Sequence, residues 1–452
     1  MRDLILKYNQ SVPRYTSYPT VPQWTENFSE TDWKHGLSKQ IQSSLAVQGL
    51  SLYVHLPFCE SLCTYCGCNK KITRNHAVEE EYLDAVEKEW TLYRATGSHF
   101  PALRELHLGG GTPTFFQPEN LKRLVSFLFE HAERQTPIDS SVEGHPNNTS
   151  WDHLAVLAEL GFRRVSFGVQ DNDAHVQHLI NRIQPFENVV RVTKQARDLG
   201  YTSVNFDLIY GLPGQTESSM IRTFEEILTL RPDRIAFYSY AHVPWTSRGQ
   251  RLFDERDLPG PEAKLNLYLT GKTLLTSAGY ADIGMDHFAL PGDDLFVARQ
   301  EGTMHRNFMG YTTQNTALLL GLGVSSISDI STGHAQNQKT LAEYYSAISR
   351  QTLPIFKGLW LTPEDQAFRQ YILAVTCQGK VRFNPSDLPQ LSKWSFPILQ
   401  NLADDGLITW NEEGLEITGL GQHFIRNIAA AFDLYLQRQN LSASAKQYSQ
   451  AI

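Results

Sequence analysis

No uninterrupted stretch of about 18 apolar residues occurs in the 452-residue chain, so no segment has the composition of a membrane-spanning helix. The opening residues, MRDLILKYNQSVPRYTSYP, have no apolar core followed by a small-residue cleavage site, the pattern of a secretory signal. Basic residues are not in excess. Forty Lys and Arg stand against 48 Asp and Glu, and a net charge of −8 gives no general attraction to nucleic acid or anionic lipid. There is no sustained heptad, fixed-period repeat or low-complexity tract beyond the Ser/Ala/Gln-rich last dozen residues. Cysteine is scarce: of five, four fall between residues 59 and 68, too close together to staple distant loops. Clustered cysteines without a signal peptide indicate a metal site in a reducing compartment, so the expected location is the cytoplasm, with no membrane or nucleic-acid partner.

What is present is the composition of a folded protein, 41% apolar, 11% aromatic and 19% charged, at a length beyond one ordinary domain. From about residue 50 to 330, short apolar runs alternate with longer amphipathic stretches. SLYVHLPF, ELHLGG, SVEGH, RRVSFGV, SVNFDLIYG and RIAFYSY read as strands. EYLDAVEKEWTLY, PENLKRLVSFLFEHA, WDHLAVLAEL, FENVVRVTKQARDL and ESSMIRTFEEILTL read as the helices between them. That alternation predicts a parallel sheet with helical crossovers, open or barrel-like, whose chemistry collects at the carboxyl ends of the strands. The last ~90 residues differ: two helical stretches, the hairpin LITW-NEEG-LEIT and a closing helix in LGQHFIRNIAAAFDLYLQRQ suggest a small winged-helix-like module. Residues 361–452 carry seven Lys/Arg against nine Asp/Glu, which argues against DNA binding and for a lid or packing role.

The chemistry concentrates in YVHLPFCESLCTYCGCNKK, where Cys59, Cys63 and Cys66 form a C-x3-C-x2-C array with Cys68 two residues on. Thiolates suit iron, and such short spacings let one loop wrap three corners of an iron–sulfur cube. Three ligands leave the fourth iron free to chelate a small molecule. Four cysteines closing a structural zinc site is the competing reading, although such sites more often use two separated pairs.

The spacing, the aromatic Tyr65 before the third cysteine and the preceding strand resemble the radical S-adenosylmethionine superfamily. Further segments narrow the resemblance: PRYTSYPT (13–20), GCNK after Cys66, GGGTPT (109–114), GVQD (168–171), NFDLIYGLPGQT (205–216), YAHVP (240–244), GMDHFA (284–289) and HRNFMGYTT (305–313). Together they are similar to the oxygen-independent coproporphyrinogen III oxidases. The resemblance implies an α/β fold, a partial parallel TIM-like barrel with a smaller, mainly helical, winged-helix-like C-terminal domain. It divides the chain into a substrate-covering segment 1–48, a catalytic domain 49–355 and a C-terminal domain 356–452. The implied reaction converts two propionates of coproporphyrinogen III to vinyls, giving protoporphyrinogen IX in haem biosynthesis through a 5′-deoxyadenosyl radical. A 4Fe-4S cluster, two S-adenosylmethionine molecules, an unidentified electron donor and acceptor, and a monomeric state come with it.

By the same resemblance Cys59, Cys63 and Cys66 hold the cluster, and Gly110, Gly111 and Thr112 contact the methionine portions. Tyr53, Glu143, Gln170, Arg182, Asp207, Ala241 and Ile327 match positions that contact the two cofactors, and Tyr65 covers the adenine or a cluster edge or merely packs. Carboxylates such as Glu143 or Asp207 can hold ribose hydroxyls or the ammonium group, and Arg182 can pair with a carboxylate. Cys68 is not an expected ligand, and Cys377 reads as a small buried hydrophobe. Arg14, Tyr15, Tyr18, His305 and Arg306 are candidates to meet the four propionates of the substrate. Two positions depart from the family: Glu143-Gly144-His145-Pro146-Asn147 where E-V-D-P-R is common, and Met309 where Gln is common. A haem-binding chaperone of the same family, or a radical enzyme acting on another porphyrin, are the alternative functions.

Overall fold

A computed structural model describes residues 2–97, 99–245 and 247–440; the Ser/Ala/Gln-rich last dozen residues of the sequence lie outside them. The chain forms two compact units. The larger comprises Thr25–Tyr280 and Thr316–Gly358, and the smaller gathers three stretches, Met1–Trp24, Ala281–Asn315 and Leu359–Ile452.

In the larger unit six strands follow one another in sequence: β1 (Leu50–Leu56), β2 (Leu103–Gly110), β3 (Arg134–Gly144), β4 (Arg164–Gln170), β5 (Ser203–Tyr210) and β6 (Arg234–Ser239). Each pairs in parallel with its successor. The crossovers are α1 (Val78–Arg94), α2 (Pro118–Glu130), α3 (Trp151–Glu159), the pair α4 (Ala174–Leu179) and α5 (Phe186–Asp198), and α6 (Glu217–Thr229). A later strand, β7 (Leu318–Leu322), lies parallel to β1 on its other side, followed by antiparallel β8 (Ile327–Asp329) and β9 (Gly333–Asn337). Strand order that climbs without reversal is the winding of a barrel; a doubly wound sheet reverses at its switch point. The expected partial parallel barrel is the fold observed.

Local chemistry sets the element boundaries. The side chains of Ser150 and Thr216 accept from the backbone of the residue three ahead, and His153 and Ser219 return the bond, so α3 and α6 begin with capping boxes. Pro118 opens α2 where its missing N–H costs nothing. Along β1, Leu50, Leu52, Val54 and Leu56 are fully buried on one face, each worth roughly 1.5–3 kcal/mol of burial. The period of two then places Ser51, Tyr53 and His55 on the other face. Register carries that polar face across the sheet: Tyr53 stands beside His107, His107 beside Ser141, Glu143 beside Ser166, and Gly168 beside Asp207. At its lower end Ser51 donates to Glu105 at 2.7 Å and Arg164 to Asp139 at 2.7 Å, a polar plug.

The smaller unit contains the helices Pro363–Gln378 and Phe396–Asp404 and a three-stranded antiparallel sheet in the order Lys380–Arg382, Gly414–Ile417, Ile408–Asn411. The predicted hairpin is there, its turn closed by the Asn411 side chain accepting from the N–H groups of Glu413 and Gly414. Cys377 is buried among Ile283, Leu295, Met304 and Tyr311, the small hydrophobe expected. The single closing helix is not what forms. A short 3-10 turn (Gly421–Phe424) leads into helix Ile425–Ala430, and a second helix begins at Leu434. Asp433 causes the break, because its carboxylate accepts from Leu436 N–H and from the Tyr15 hydroxyl, starting a new helix instead of extending the old one. Among the described residues no helix is long and apolar enough to cross a membrane.

Candidate functional site

Just past β1 the chain forms a two-residue strand, Phe58–Cys59, that pairs in parallel with Lys71–Ile72. Lys71 N–H to the Pro57 carbonyl (2.8 Å) and Thr73 N–H to the Cys59 carbonyl (2.9 Å) complete this base, so the ends of the cysteine loop are fixed. The body of the loop is held mainly from outside. Asn181 donates to the Leu62 carbonyl at 2.7 Å, and Thr64 N–H donates to the Ile180 carbonyl at 3.0 Å. Gln250 donates to the Tyr65 carbonyl at 2.9 Å, and Ser247 to the Cys66 carbonyl at 2.9 Å. Lys70 reaches back to the Cys66 carbonyl at 3.1 Å.

Cys59, Cys63 and Cys66 are half-buried free thiols, and Cys68 is an exposed one. Two of the three sulfurs receive hydrogen bonds from residues outside the loop: Thr112 Oγ1 donates to Cys59 Sγ at 3.3 Å, and Arg182 Nη1 to Cys63 Sγ at 3.5 Å. A hydrogen bond from Cys68 and the nearby Lys70 ammonium pull the Cys66 thiol down to about 6 against the effect of burial. Burial pushes Cys59 up to about 11, an effect that the Thr112 hydroxyl only partly offsets. Among the described residues no three His, Cys, Asp or Glu side chains could hold a single metal ion. The fit to a cluster rests on the donor set: three unpaired thiols on one loop, with donors aimed at two of the sulfurs, as iron-bound thiolates require.

The GGGT turn after β2 runs along the start of this loop, with Gly111 N–H on the Leu56 carbonyl (2.8 Å) and Thr112 N–H on the Phe58 carbonyl (3.0 Å). Only glycine fits there. Gly110 has φ +121° and a Cβ on it would stand 2.8 Å from His55 Nδ1; one on Gly111 would stand 2.6 Å from the Pro57 carbonyl. Gly110 N–H donates to Glu143 at 3.1 Å, and Glu143 also accepts from His107 Nε2 at 3.3 Å. Burial alone would raise the Glu143 carboxyl, but the His107 and Gly110 donors outweigh it and hold the group below the usual range. His107 Nδ1 then accepts from the Ser141 hydroxyl at 2.7 Å. Tyr53 stacks on His107 (ring centroids 5.8 Å apart) and donates to His55 Nδ1 at 3.0 Å. His55 Nε2 donates to the Asn69 carbonyl at 2.8 Å, which fixes its tautomer, and burial keeps it neutral.

At the end of β4, Gln170 takes a positive φ of 68°, and its side chain and that of Arg182 both close over Gly168: a Cβ there would meet them at 2.6 and 3.0 Å. Arg182 also donates to the Gly168 carbonyl, so one guanidinium joins this strand end to Cys63. On β5, Asp207 accepts from Ser166 (3.0 Å) and Asn205 (2.9 Å). Burial and the charge of Glu143 push its pKa up to about 6, against those hydrogen bonds. The departing residues still serve this region: Asn147 donates to the Ile183 carbonyl at 2.9 Å, next to Arg182, and its N–H donates to His145 Nδ1 at 3.1 Å. Burial, then Arg182, keeps His145 neutral.

The remaining candidates join through backbone. Ala241 and Tyr65 share one donor, since Gln250 Nε2 contacts both carbonyls, and the Tyr65 ring packs on Val176, Ile180, Leu212, Tyr240 and Phe253. Ile327 lies against Gly321, where a Cβ would be 2.5 Å from the Ile327 carbonyl, and Gly321 is in register with Tyr53. The substrate candidates are all in the smaller unit. There Arg14 pairs with Asp286 at 3.3 Å, Tyr15 donates to Asp433 at 3.0 Å, and Tyr18 accepts from Leu434 N–H at 3.0 Å. Arg306 lies over the Tyr311 ring at 4.6 Å, and His305 pairs across a short hairpin with Thr312. Met309 donates its N–H to Asn307 in that hairpin's turn. Sequence reasoning missed His55, His107, Asn181 and Gln250. The first two were marked by polar residues at every second position of YVH and ELH; Asn181 in a turn and Gln250 in the 3-10 helix Arg248–Arg251 act on backbone, without a pattern of their own.

Comparison with known proteins agrees with this geometry. Residues 53–227 match the model of the radical SAM superfamily. The chain is 41% identical over 455 residues to the oxygen-independent coproporphyrinogen III oxidase of Salmonella typhimurium, covering 99% of this chain and 98% of that protein. It is 40% identical over 462 residues to the enzyme of the same name from Escherichia coli, with 99% and 98% covered. The solved structure described as coproporphyrinogen III oxidase from Escherichia coli, a radical SAM enzyme, superposes with a TM-score of 0.88 at 39% identity, over 94% of this chain and 100% of that one.

Proposed function

Because the chain belongs to the oxygen-independent coproporphyrinogen III oxidases of the radical SAM superfamily, we propose that its cysteine loop and the strand ends around it form the active site for that reaction. The protein is an oxidoreductase of haem biosynthesis that converts two propionates of coproporphyrinogen III to vinyls without oxygen, giving protoporphyrinogen IX. When bound, the 4Fe-4S cluster and S-adenosylmethionine would supply 5′-deoxyadenosyl radical chemistry.

The chain's own residues position and enclose. Cys59, Cys63 and Cys66 would hold the cluster, and Thr112 and Arg182 direct hydrogen bonds at two of those sulfurs. Gly110, Gly111 and Thr112 let a ligand approach the backbone, and Glu143, kept ionised by His107 and Gly110, offers a carboxylate to an ammonium group. Asp207 offers its carboxyl to ribose hydroxyls, Arg182 and Gln170 face a carboxylate, and Tyr53, Tyr65, Ala241 and Ile327 complete the contacts to two S-adenosylmethionine molecules. Segment 1–48 covers the substrate, with Arg14, Tyr15, Tyr18, His305 and Arg306 as the side chains chosen for its propionates. A monomer in the cytoplasm, served by a separate electron donor and acceptor, completes the reading.

The observation that carries the site assignment is the pair of hydrogen bonds onto two sulfurs of the cysteine motif, one from Thr112 of GGGTPT and one from Arg182. Anaerobic incubation with reductant, S-adenosylmethionine and coproporphyrinogen III tests it. Protoporphyrinogen IX is expected; none formed by protein with an intact cluster would remove the assignment.

A further inference from the structure

Glu89 lies wholly buried on α1, outside the site described above. Its Oε2 accepts from Gly323 N–H at 2.7 Å and from the Tyr344 hydroxyl at 2.7 Å, and its Oε1 accepts from Asn337 Nδ2 at 2.6 Å. Asn337 continues to the Gly323 carbonyl (2.9 Å) and to Ser326 Oγ (3.0 Å). Two turns earlier on the same helix, the Tyr82 hydroxyl donates to the His55 carbonyl at 2.6 Å and accepts from Val324 N–H at 3.0 Å. Gly323 is locked between them: φ is +92°, and a Cβ would stand 2.4 Å from the Tyr82 oxygen and 2.7 Å from the His55 carbonyl. The turn from Gly323 to Ser326 is thereby clamped to α1 and to the end of β1.

All three partners of the Glu89 carboxylate are donors, so the pocket is shaped for an acceptor at both oxygens. Burial pushes the Glu89 carboxyl up to about 7 in spite of these donors, so the group is a poor source of stability, and an apolar side chain of similar volume usually does as well. What this one gives is position. The clamped turn feeds directly into Ile327, whose backbone abuts Gly321, and Gly321 is in register with Tyr53.

We propose that Glu89 is a positioning residue for cofactor binding: it fixes the Gly323–Ser326 turn and, through it, the S-adenosylmethionine contact at Ile327. This rests on the assignment of Ile327 made above.

Two variants test it on the anaerobically reconstituted full chain. Glu89→Gln keeps the shape but sets an NH2 against a donor, and Tyr344→Phe removes one of the donor hydroxyls. Both should carry the parent's iron and sulfide. The KM for S-adenosylmethionine should rise about tenfold in the first and less in the second, with the KM for coproporphyrinogen III unchanged. A lowered melting temperature with an unchanged KM for S-adenosylmethionine would make Glu89 structural only and overturn the proposal. Should Glu89→Gln fail to fold, an unchanged KM in Tyr344→Phe overturns it alone. Ile327→Gly separates the two layers. If it raises the KM while the Glu89 and Tyr344 variants do not, only the role of Glu89 falls. If none of the three does, the Ile327 contact falls with it.

Discussion

The guanidinium of Arg182 donates to the sulfur of Cys63 at 3.5 Å while its second nitrogen holds the Gly168 carbonyl. A planar fork can serve two acceptors at once, and a lysine ammonium cannot keep both in the same directions. Arg182→Lys should therefore retain the iron and sulfide of the parent and lose about 10–100-fold in kcat/KM. Iron analysis together with steady-state kinetics checks this; unchanged kinetics would make the bond to Cys63 incidental.

Cys59→Ala, Cys63→Ala and Cys66→Ala should each lose the cluster and all activity, whereas Cys68→Ala should keep the cluster. Thr112→Val should leave the cluster bound but lower its reduction potential, because one hydrogen bond to a sulfur is withdrawn. Electron paramagnetic resonance on samples poised at known potentials reads both outcomes.

Gly111→Ala would press a methyl to 2.6 Å from the Pro57 backbone, which cannot move without shifting Cys59. The expected cost is roughly 1–3 kcal/mol of stability with a disproportionate loss of S-adenosylmethionine affinity. Thermal unfolding and a cofactor titration would show it; a variant that binds as the parent does would mean the two segments can separate freely.

Asp171, at the end of β4, is almost fully buried and accepts from Gln215, Thr223 and the Asp173 N–H. Burial pushes its pKa up to about 6 in spite of those bonds. A carboxyl whose pKa rises on folding takes its proton first in the folded state. Stability from this group is therefore greatest below the ordinary aspartate range, falls as pH climbs toward about 6, and is level above. Asp171→Asn should flatten that slope. Melting temperatures of parent and variant measured from pH 4 to pH 7 give the comparison, and parallel curves would count against it.

Much of the site could be read from residue order because it sits in short, unbroken motifs. The cysteine loop declares itself through its spacing and preceding strand, and the glycines of GGGT and Asp207 fall in segments that resemble those of the family. His55 and His107 did not, although they orient Tyr53 and Glu143, because alternation shows that two faces exist without saying which one lines the site. The break at Asp433 was hidden for another reason. An aspartate inside an apolar helical pattern is tolerated locally, and only its distant partner Tyr15 makes the interruption the better choice.

The smaller unit is stitched from the two extremes of the sequence. Tyr15 meets Asp433 across 418 positions, Tyr18 meets Leu434 across 416, and Asn427 holds the Tyr8 carbonyl across 419. During synthesis residues 8–18 must wait for residues 427–434 before these bonds can form, while the cysteine loop and its glycine turn are already translated. A nascent chain would thus hold the cysteine loop and its glycine turn before residues 8–18 meet their partners in the smaller unit.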